Sequence, residues 1–290
     1  MRRVGVVLHP TRSVGRALDS LQDWTAAHGL ELVHLEGVDS RSGASLSHQA
    51  GACDLVAAIG GDGTVLTALH AAAPTRTPVL GVAYGSLGAL TTVSEPDLPA
   101  GLDRIASGEW WPRRLPALVT GAREEESVRA INDLVLVRRG GTQLLVEVSV
   151  ENDLYARLAG DGVVVATPLG SSAYSMAAGG PVLVAGTHAF LCTPIAMHGG
   201  CAPPVVVPAD RDVVLSVDPG WGGFDLELDG HTVDSDSRRF VVSLERDYAT
   251  LVGLGEPDTG LPGLRKRGLL TDSPRVLARD ARAHDVKAPM

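Results

Sequence analysis

Over the first third of the chain, short apolar runs alternate with segments of helical period. Residues 3–8, 31–35, 54–59 and 78–82 are brief apolar runs bounded by turn residues, the pattern of buried strands. Between the first two, Val14, Ala17, Leu18, Leu21, Trp24 and Ala27 recur at helical spacing, with Ser13 as candidate N-cap and Gly29 just past the end. A second helix is expected over residues 64–73, stopped by Pro74, and a third through Leu98, Leu102, Ile105 and Ala106, ending near Gly108. Residues 41–51 are polar and small and read as a loop with one helical turn. Strands alternating with helices imply a doubly wound, parallel α/β domain over residues 1–108. In such sheets ligands bind beyond the carboxyl ends of the strands.

Near Gly108 the period changes. Residues 128–137 and 144–150 have β composition, residues 163–166 and 205–207 are short buried strands, and Phe224, Leu226 and Leu228 alternate with Asp225, Glu227 and Asp229 up to Gly230. Residues 109–255 therefore read as an antiparallel, sandwich-like β domain, and the fold class as α/β plus β. Residues 256–263 form a turn-rich linker within a C-terminal tail, 256–290, expected to return to the first domain, its last ten residues loose.

The chemistry concentrates where the third strand meets the second helix, at Gly60-Gly61-Asp62-Gly63-Thr64. Glycines there remove the Cβ atoms that would hold a phosphate away from backbone N–H groups, and a helix N-terminus favours an anion. An Asp in that place repels phosphate unless a metal or a hydroxyl stands between them. That is what phosphoryl transfer needs: amides for the phosphates, Mg²⁺ to bridge, and Asp62 to accept a proton. The competing reading is an ordinary tight turn, for which Gly and Asp are common choices.

A second constellation lies in the β region: Asp161-Gly162, then Thr167-Pro168-Leu169-Gly170-Ser171-Ser172-Ala173-Tyr174. A strand ends in Thr-Pro and two serines open a short helix, so hydroxyls and amides can hold a phosphate or a sugar, and Tyr174 offers a face for a base. A capped helix with a core tyrosine is the alternative. Asn132-Asp133 is a third candidate, since an Asn amide can read an adenine edge. On a regular strand the two would point to opposite faces, so only one could serve the ligand.

Composition narrows the partners. The 290 residues are 44% hydrophobic and 20% charged, enough core for two domains. A formal charge of −9 without a basic stripe argues against nucleic acid. Lys266 and Lys287 are the only lysines, so no Walker-type lysine exists and arginine, amides or Mg²⁺ must meet phosphate charge. Three scattered cysteines (Cys53, Cys192, Cys201) suit a reducing cytoplasm and read as small apolar core residues. No apolar stretch approaches membrane-spanning length, and the N-terminal run lacks a signal pattern, which points to a cytoplasmic protein with no membrane partner. The nine histidines show no metal spacing.

Together these blocks resemble the NAD kinase family, whose catalytic fold is related to the phosphofructokinases. Gly60-Gly61-Asp62-Gly63-Thr64, Asn132-Asp133, and Asp161-Gly162 followed by Thr167-Pro168-x-Gly170-Ser171-x-Ala173-Tyr174 occur in the family's order. Gly81-Val82-x-x-Gly85-x-Leu87-Gly88, Pro194-Ile195…His198 and Asp229-Gly230 are weaker echoes. The resemblance implies an N-terminal α/β domain and a C-terminal β domain. It implies transfer of phosphate from ATP, or polyphosphate, to the adenosine-ribose 2′-hydroxyl of NAD, with Mg²⁺ present. Asp62 would be the general base, with Gly61, Gly63 and Thr64 beside the substrate. Asn132 would bind the adenosine, Asp161 the nicotinamide side or its ribose, and Asp133, Thr167, Ser171, Ser172, Ala173 and Tyr174 would line the dinucleotide site. It further implies a homodimer or homotetramer with sites built partly across subunits.

The departures fall on the pocket walls. Ala89 stands where a Phe is usual, Leu169 where a small hydroxyl residue is usual, Ser172 for Thr, Pro203 for Arg, and Ala83 for a polar residue. They leave open a kinase of the same mechanism acting on another nucleoside or nucleotide, or a non-catalytic dinucleotide-binding protein. Diacylglycerol-type lipid kinases share Gly-Gly-Asp-Gly-Thr but do not account for residues 167–174. A serine hydrolase is disfavoured because no Gly-x-Ser-x-Gly elbow surrounds Ser171 or Ser172.

Overall fold

The N-terminal apolar runs are neighbouring strands of one parallel sheet. In the computed structural model, which describes residues 1–11, 14–35, 43–85, 87–121, 127–257 and 259–285, β1 (Arg3–Leu8), β2 (Glu31–His34), β3 (Leu55–Gly60) and β4 (Val79–Ala83) lie in the order β2-β1-β3-β4. The two-residue β5 (Val93–Ser94) pairs with β4 in parallel. All of residues 55–60 and 79–83 are buried, because both faces of the sheet are covered and neither strand can alternate. Helices α1 (Gly15–Ala27) and α4 (Leu98–Ala106) pack on one face through Leu21, Trp24, Leu98 and Leu102. Helices α2 (Gly43–Gly51) and α3 (Asp62–Ala72) cover the other, where Val65, Leu66 and Leu69 meet Val7, Val56 and Ala58.

Two expectations need correction here. Residues 43–51 are a full helix, since Ala50 is buried against the α3 side of the sheet and tertiary packing outweighs weak local propensity. Helix α3 starts at Asp62, not Thr64, with Gly61 extended as its N-cap. Ser13, the expected cap of α1, lies outside the described residues.

Beyond residue 110 the strands are β6 (Trp111–Thr120), β7 (Val128–Ala130), β8 (Asp133–Arg138), β9 (Leu144–Val150), β10 (Asp153–Gly160) and β11 (Gly162–Ala166). A four-residue helix α5 (Tyr174–Ala177) precedes β12 (Ala189–Ile195), β13 (Val205–Pro208), β14 (Val213–Asp218), β15 (Phe224–Leu228), β16 (His231–Val233) and β17 (Arg239–Gly253). Six of them form an antiparallel sheet in the order β13-β12-β11-β8-β15-β16. The rest join the N-terminal sheet through β17. Its first half pairs with β14, Leu251 pairs in parallel with Val79 of β4, and β6 runs antiparallel along it. Eleven strands thus make one continuous sheet. The β17–β6 register shifts between Glu245 and Ala249, a bulge that aims the intervening side chains away from regular pairing.

The sandwich core lies between the two sheets, where Leu134, Leu136, Val163, Val165 and Phe190 meet Val146, Val148, Leu215 and Val242. Cys192 belongs to it, and burial pushes its thiol up to about 12. Cys53 is also buried, but Cys201 is exposed, unlike the core position expected for it. In the tail, α6 (Leu261–Lys266) buries Leu264, and α7 (Pro274–Asp285) is helical across part of the stretch expected to be loose.

The run expected as one strand over 128–137 is two strands in two sheets. β7 pairs with β6 in the large sheet, β8 lies between β11 and β15 in the small one, and Ile131-Asn132 is the crossing. Ile131 is fully buried with Leu66 and Leu69 of α3. Ile131→Ala should cost about 2–5 kcal/mol by leaving a cavity between α3 and the crossing. Urea denaturation checks this; a loss below about 1 kcal/mol would mean that the crossing closes over the space.

Candidate active site

Asp62 opens α3, and its carboxylate points back across the β4 end of the sheet. Oδ2 accepts the Ala89 N–H and Oδ1 the Leu90 N–H, both at 2.9 Å. Gly88 has no side chain because a Cβ there would overlap this carboxylate. The two glycine loops are therefore one device, in which the second supplies the amides and the space that orient Asp62. Asp62 is half-buried and Gly63, beside it, is exposed. Thr64 is buried, its N–H bonded to the Gly61 carbonyl, so it closes the turn.

The crossing at 131–133 is held by Asp229, a residue only weakly marked in the sequence. One carboxylate oxygen of Asp229 accepts the N–H groups of Asn132 (2.6 Å) and Asp133 (3.2 Å), and the other accepts that of Ile131 (2.9 Å). The second oxygen also lies 2.7 Å from Nε2 of His70, on α3. A carboxylate only accepts, so Nε2 carries the proton. Nδ1 lies 3.1 Å from the Tyr248 hydroxyl. Burial pushes that phenol up to about 12, so it stays protonated beside the ring. Asp229 sits at φ +50° with its side chain 4% exposed, a left-handed position that Asp tolerates better than most residues. The only sequence signals were an Asp-Gly after an alternating strand and a histidine late in α3.

Because Asn132 stands at the crossing and not in a ladder, strand alternation does not separate it from Asp133. The Asn132 carbonyl accepts the Thr167 N–H, and its side-chain amide makes no hydrogen bond among the described residues. Asp133 is buried, and its carboxylate accepts the Tyr174 N–H. Burial first, then Asp229 and Glu227, raise it to about 7. The Tyr174 ring is 40% exposed, and burial with the charges of Glu227, Asp161 and Asp133 pushes its phenol up. Asp161 is half-buried and ion-paired with Arg138 at 2.6 Å.

Thr167 and Ser171 differ from the expected role. Both are fully buried, and their hydroxyls serve the loop: Thr167 donates to the Ile131 carbonyl, and Ser171 donates to Pro168 and accepts the Leu183 N–H. They shape the segment instead of presenting donors to a ligand. Gly170 lies so close to the Asn132 carbonyl that a Cβ would overlap it. Ser172 is half-buried and bonded to the Leu169 carbonyl, while Ala173 is exposed. Beside this segment opens a cavity of about 800 Å³, whose walls include Ala89, Leu169 and Ser172. Leu169 packs on the core that holds Ile131 and Leu66. Among the described residues no cluster of three or more His, Cys, Asp or Glu could hold a metal ion.

An oriented carboxylate at a helix start, with the amides of that helix beside it and a polar site facing it, is the equipment of a phosphotransferase acting on a hydroxyl. Residues 18–110 match the ATP-NAD kinase N-terminal domain and residues 131–242 the ATP-NAD kinase C-terminal domain. The chain is 35% identical over 229 residues to an NAD kinase of Heliobacterium modesticaldum, covering 75% of this chain and 80% of that one. It is 32% identical over 243 residues to an NAD kinase of Koribacter versatilis, covering 79% and 85%. Its fold is similar to an NAD kinase from Archaeoglobus fulgidus in complex with ATP (TM-score 0.74, 23% identity, 93% of this chain and 100% of that one). It is also similar to yeast NADH kinase complexed with NADH (TM-score 0.76, 19% identity, 94% and 89%). The chain belongs to the NAD kinase family, and the α/β-plus-β fold expected from its periodicity is the fold observed.

Asp229→Ala should cost about 3 kcal/mol or more, since it strands three backbone donors and puts Ala at positive φ. Thermal and urea unfolding measure this, and a loss under about 1 kcal/mol would show that water replaces the carboxylate. Asp133 gives a pH dependence. Its folded value of about 7 lies above the ordinary 3.8, so the folded chain keeps a proton that the unfolded chain releases, and stability falls as pH rises between these values. Asp133→Asn should therefore gain roughly 2–4 kcal/mol relative to wild type across that window. A stability difference that does not change with pH would refute the burial argument.

Proposed function

We propose that the chain transfers the γ-phosphoryl group of ATP to the 2′-hydroxyl of the adenosine ribose of NAD, giving NADP and ADP. The observation that carries this is the Asp62 carboxylate, aimed by the Ala89 and Leu90 amides at the start of α3. Each of its oxygens accepts one N–H and keeps a lone pair, so one can take the 2′-hydroxyl proton as that oxygen bonds to phosphorus and ADP leaves with the P–O bond electrons. The N-terminal amides of α3 face the transferring phosphate, where the exposed Gly63 permits close approach.

The acceptor's adenosine lies against Asn132, whose unengaged amide suits the adenine edge, and against Tyr174. Asp133, held near neutrality, presents a carboxyl that either donates or accepts. Asp161, oriented by Arg138, takes the far ribose or the nicotinamide side. Ser172 and Ala173 edge the same site. Among the described residues no cluster of carboxylates or histidines forms a metal cage, so Asp62 is the residue that would hold Mg²⁺ together with the substrate phosphates. Held there, the ion would supply charge neutralisation for the phosphates.

The test is a substrate screen with labelled ATP against NAD, NADH and a panel of nucleosides and nucleotides, on wild type and Asp62→Asn. Wild type should phosphorylate NAD, and Asp62→Asn should lose at least about 100-fold in kcat while remaining folded. A variant retaining a substantial fraction of wild-type rate would make the turn structural. A mononucleoside preferred over NAD by about tenfold in kcat/KM, or roughly 1.4 kcal/mol, would transfer the same chemistry to another acceptor.

A further inference from the structure

Helix α3 is held by polar contacts at two places along its length. At its start, the Ala89 and Leu90 amides bind the Asp62 carboxylate. Roughly 12 Å further along the axis, His70 gives its Nε2–H to Asp229 at 2.7 Å. Among the described residues, the hydrogen bonds from α3 to the β region are those of His70, with Asp229 and with the Tyr248 hydroxyl. The neighbouring contact is apolar, with Leu66 and Leu69 packed on Ile131. Apolar burial is non-directional, whereas a hydrogen bond fixes distance and angle. The ring is itself aimed. Tyr248 lies 3.1 Å from Nδ1, with the two rings tilted at 55° and their centroids 5.7 Å apart. Arg129, paired with Glu245, sits over the Tyr248 ring in turn. The His70 side chain is 32% exposed, yet both its nitrogens are engaged.

We propose that His70 is a positioning residue for phosphoryl transfer: through Asp229 it sets where the 131–133 crossing stands relative to the Asp62 carboxylate. The proposal rests on the phosphotransferase reading above, in which Asp62 takes the hydroxyl proton and Asn132 holds the adenosine. Those two residues stand on different elements, and the acceptor spans them. Its hydroxyl meets the carboxylate only when the crossing is in register with α3. Asp229 binds all three N–H groups of the crossing, so a bond from α3 to that carboxylate acts on the crossing as a unit. A displacement of about 1 Å can cost up to roughly 100-fold in rate while the ligand still binds. His70 acts through Asp229 and not on the reacting atoms, so it governs kcat and not acceptor affinity. Without the bond each half of the site keeps its own contacts, and what is lost is their alignment.

The experiment compares wild type with His70→Ala, His70→Asn, His70→Gln and, as control, His28→Ala. Gln carries its amide at the reach of Nε2 and can donate to Asp229, whereas Asn is one methylene shorter and cannot. His28 stacks on Trp24 at the end of α1, on the opposite face of the parallel sheet. Steady-state kinetics give kcat and KM for NAD, and calorimetry gives the affinity for NAD without ATP. The Ala and Asn variants should lose about 10- to 100-fold in kcat, with KM and affinity for NAD within about threefold of wild type. The Gln variant should recover kcat to within about threefold, and the control should match wild type. Wild-type kcat in folded Ala and Asn variants would make the bond purely structural and overturn the proposal, even where stability falls. A Gln variant as slow as the Asn variant would overturn it too, since the ring and not the donor would then matter. If wild type phosphorylates another nucleotide in place of NAD, the acceptor reading fails, and the same kcat ratios measured on that nucleotide decide the role of His70. A wild type that phosphorylates no acceptor overturns both readings, whereas an active wild type whose kcat is indifferent to His70 overturns this one alone. Should His70→Ala not fold, the Asn and Gln variants decide, since they differ by one methylene.

Discussion

The carboxylate of Asp229 joins α3 to the crossing between the two sheets, polar group to polar group. Where the chain leaves β7 for β8 it changes sheets, and no ladder takes up the three successive N–H groups of residues 131–133. Buried donors need an acceptor, and one acceptor-only side chain meets all three. The same carboxylate then takes the His70 Nε2 proton from α3. His70 lies eight residues after Asp62, about two turns and 12 Å along one rigid helix. Asp229 therefore fixes Asn132 and Asp133 relative to Asp62 without touching Asp62. The cost is electrostatic: its charge, with burial, is what drives Asp133 towards neutrality.

A second constraint is covalent. β17 is fifteen residues long and contributes to the sandwich at one end and to the parallel sheet at the other. Strands that run through both regions leave little freedom for a hinge in that sheet. The bulge within β17 falls between those two ends and takes the intervening side chains off the ladder. Arg246 turns into the cavity and Tyr248 to His70, with the Arg129 guanidinium over the Tyr248 ring.

What could be read from the chain follows from the range of the forces involved. Buried strands, amphipathic helices and the glycine-flanked Asp62 are local patterns, and they were legible because period and turn chemistry act over a few residues. Helix α2 was not, because its small residues gain from packing and not from propensity. The split of residues 128–137 into β7 and β8 was hidden because both pieces are apolar β composition and the break is enforced by Asp229, nearly a hundred residues away. Thr167 and Ser171 were legible as hydroxyls near a helix start, but not as hydroxyls already spent on the Ile131 and Pro168 carbonyls. The reach of a side chain towards its own loop or towards a ligand is decided by tertiary geometry.

The same distinction explains how the pocket walls can vary around a constant centre. Position 89 contributes its N–H to Asp62 and its carbonyl to Arg113, and both are backbone groups. Its side chain can therefore change without moving the Asp62 carboxylate. With Ala there, the wall beside Asp62 opens into the cavity, and Leu169, anchored on the Ile131 core, does not close it. Gly88 has no such latitude, because the space its Cβ would occupy is filled by the Asp62 carboxylate. Backbone-made geometry around Asp62 and side-chain-made pocket shape are thus separable in this fold, and Ala89, Leu169 and Ser172 belong to the second.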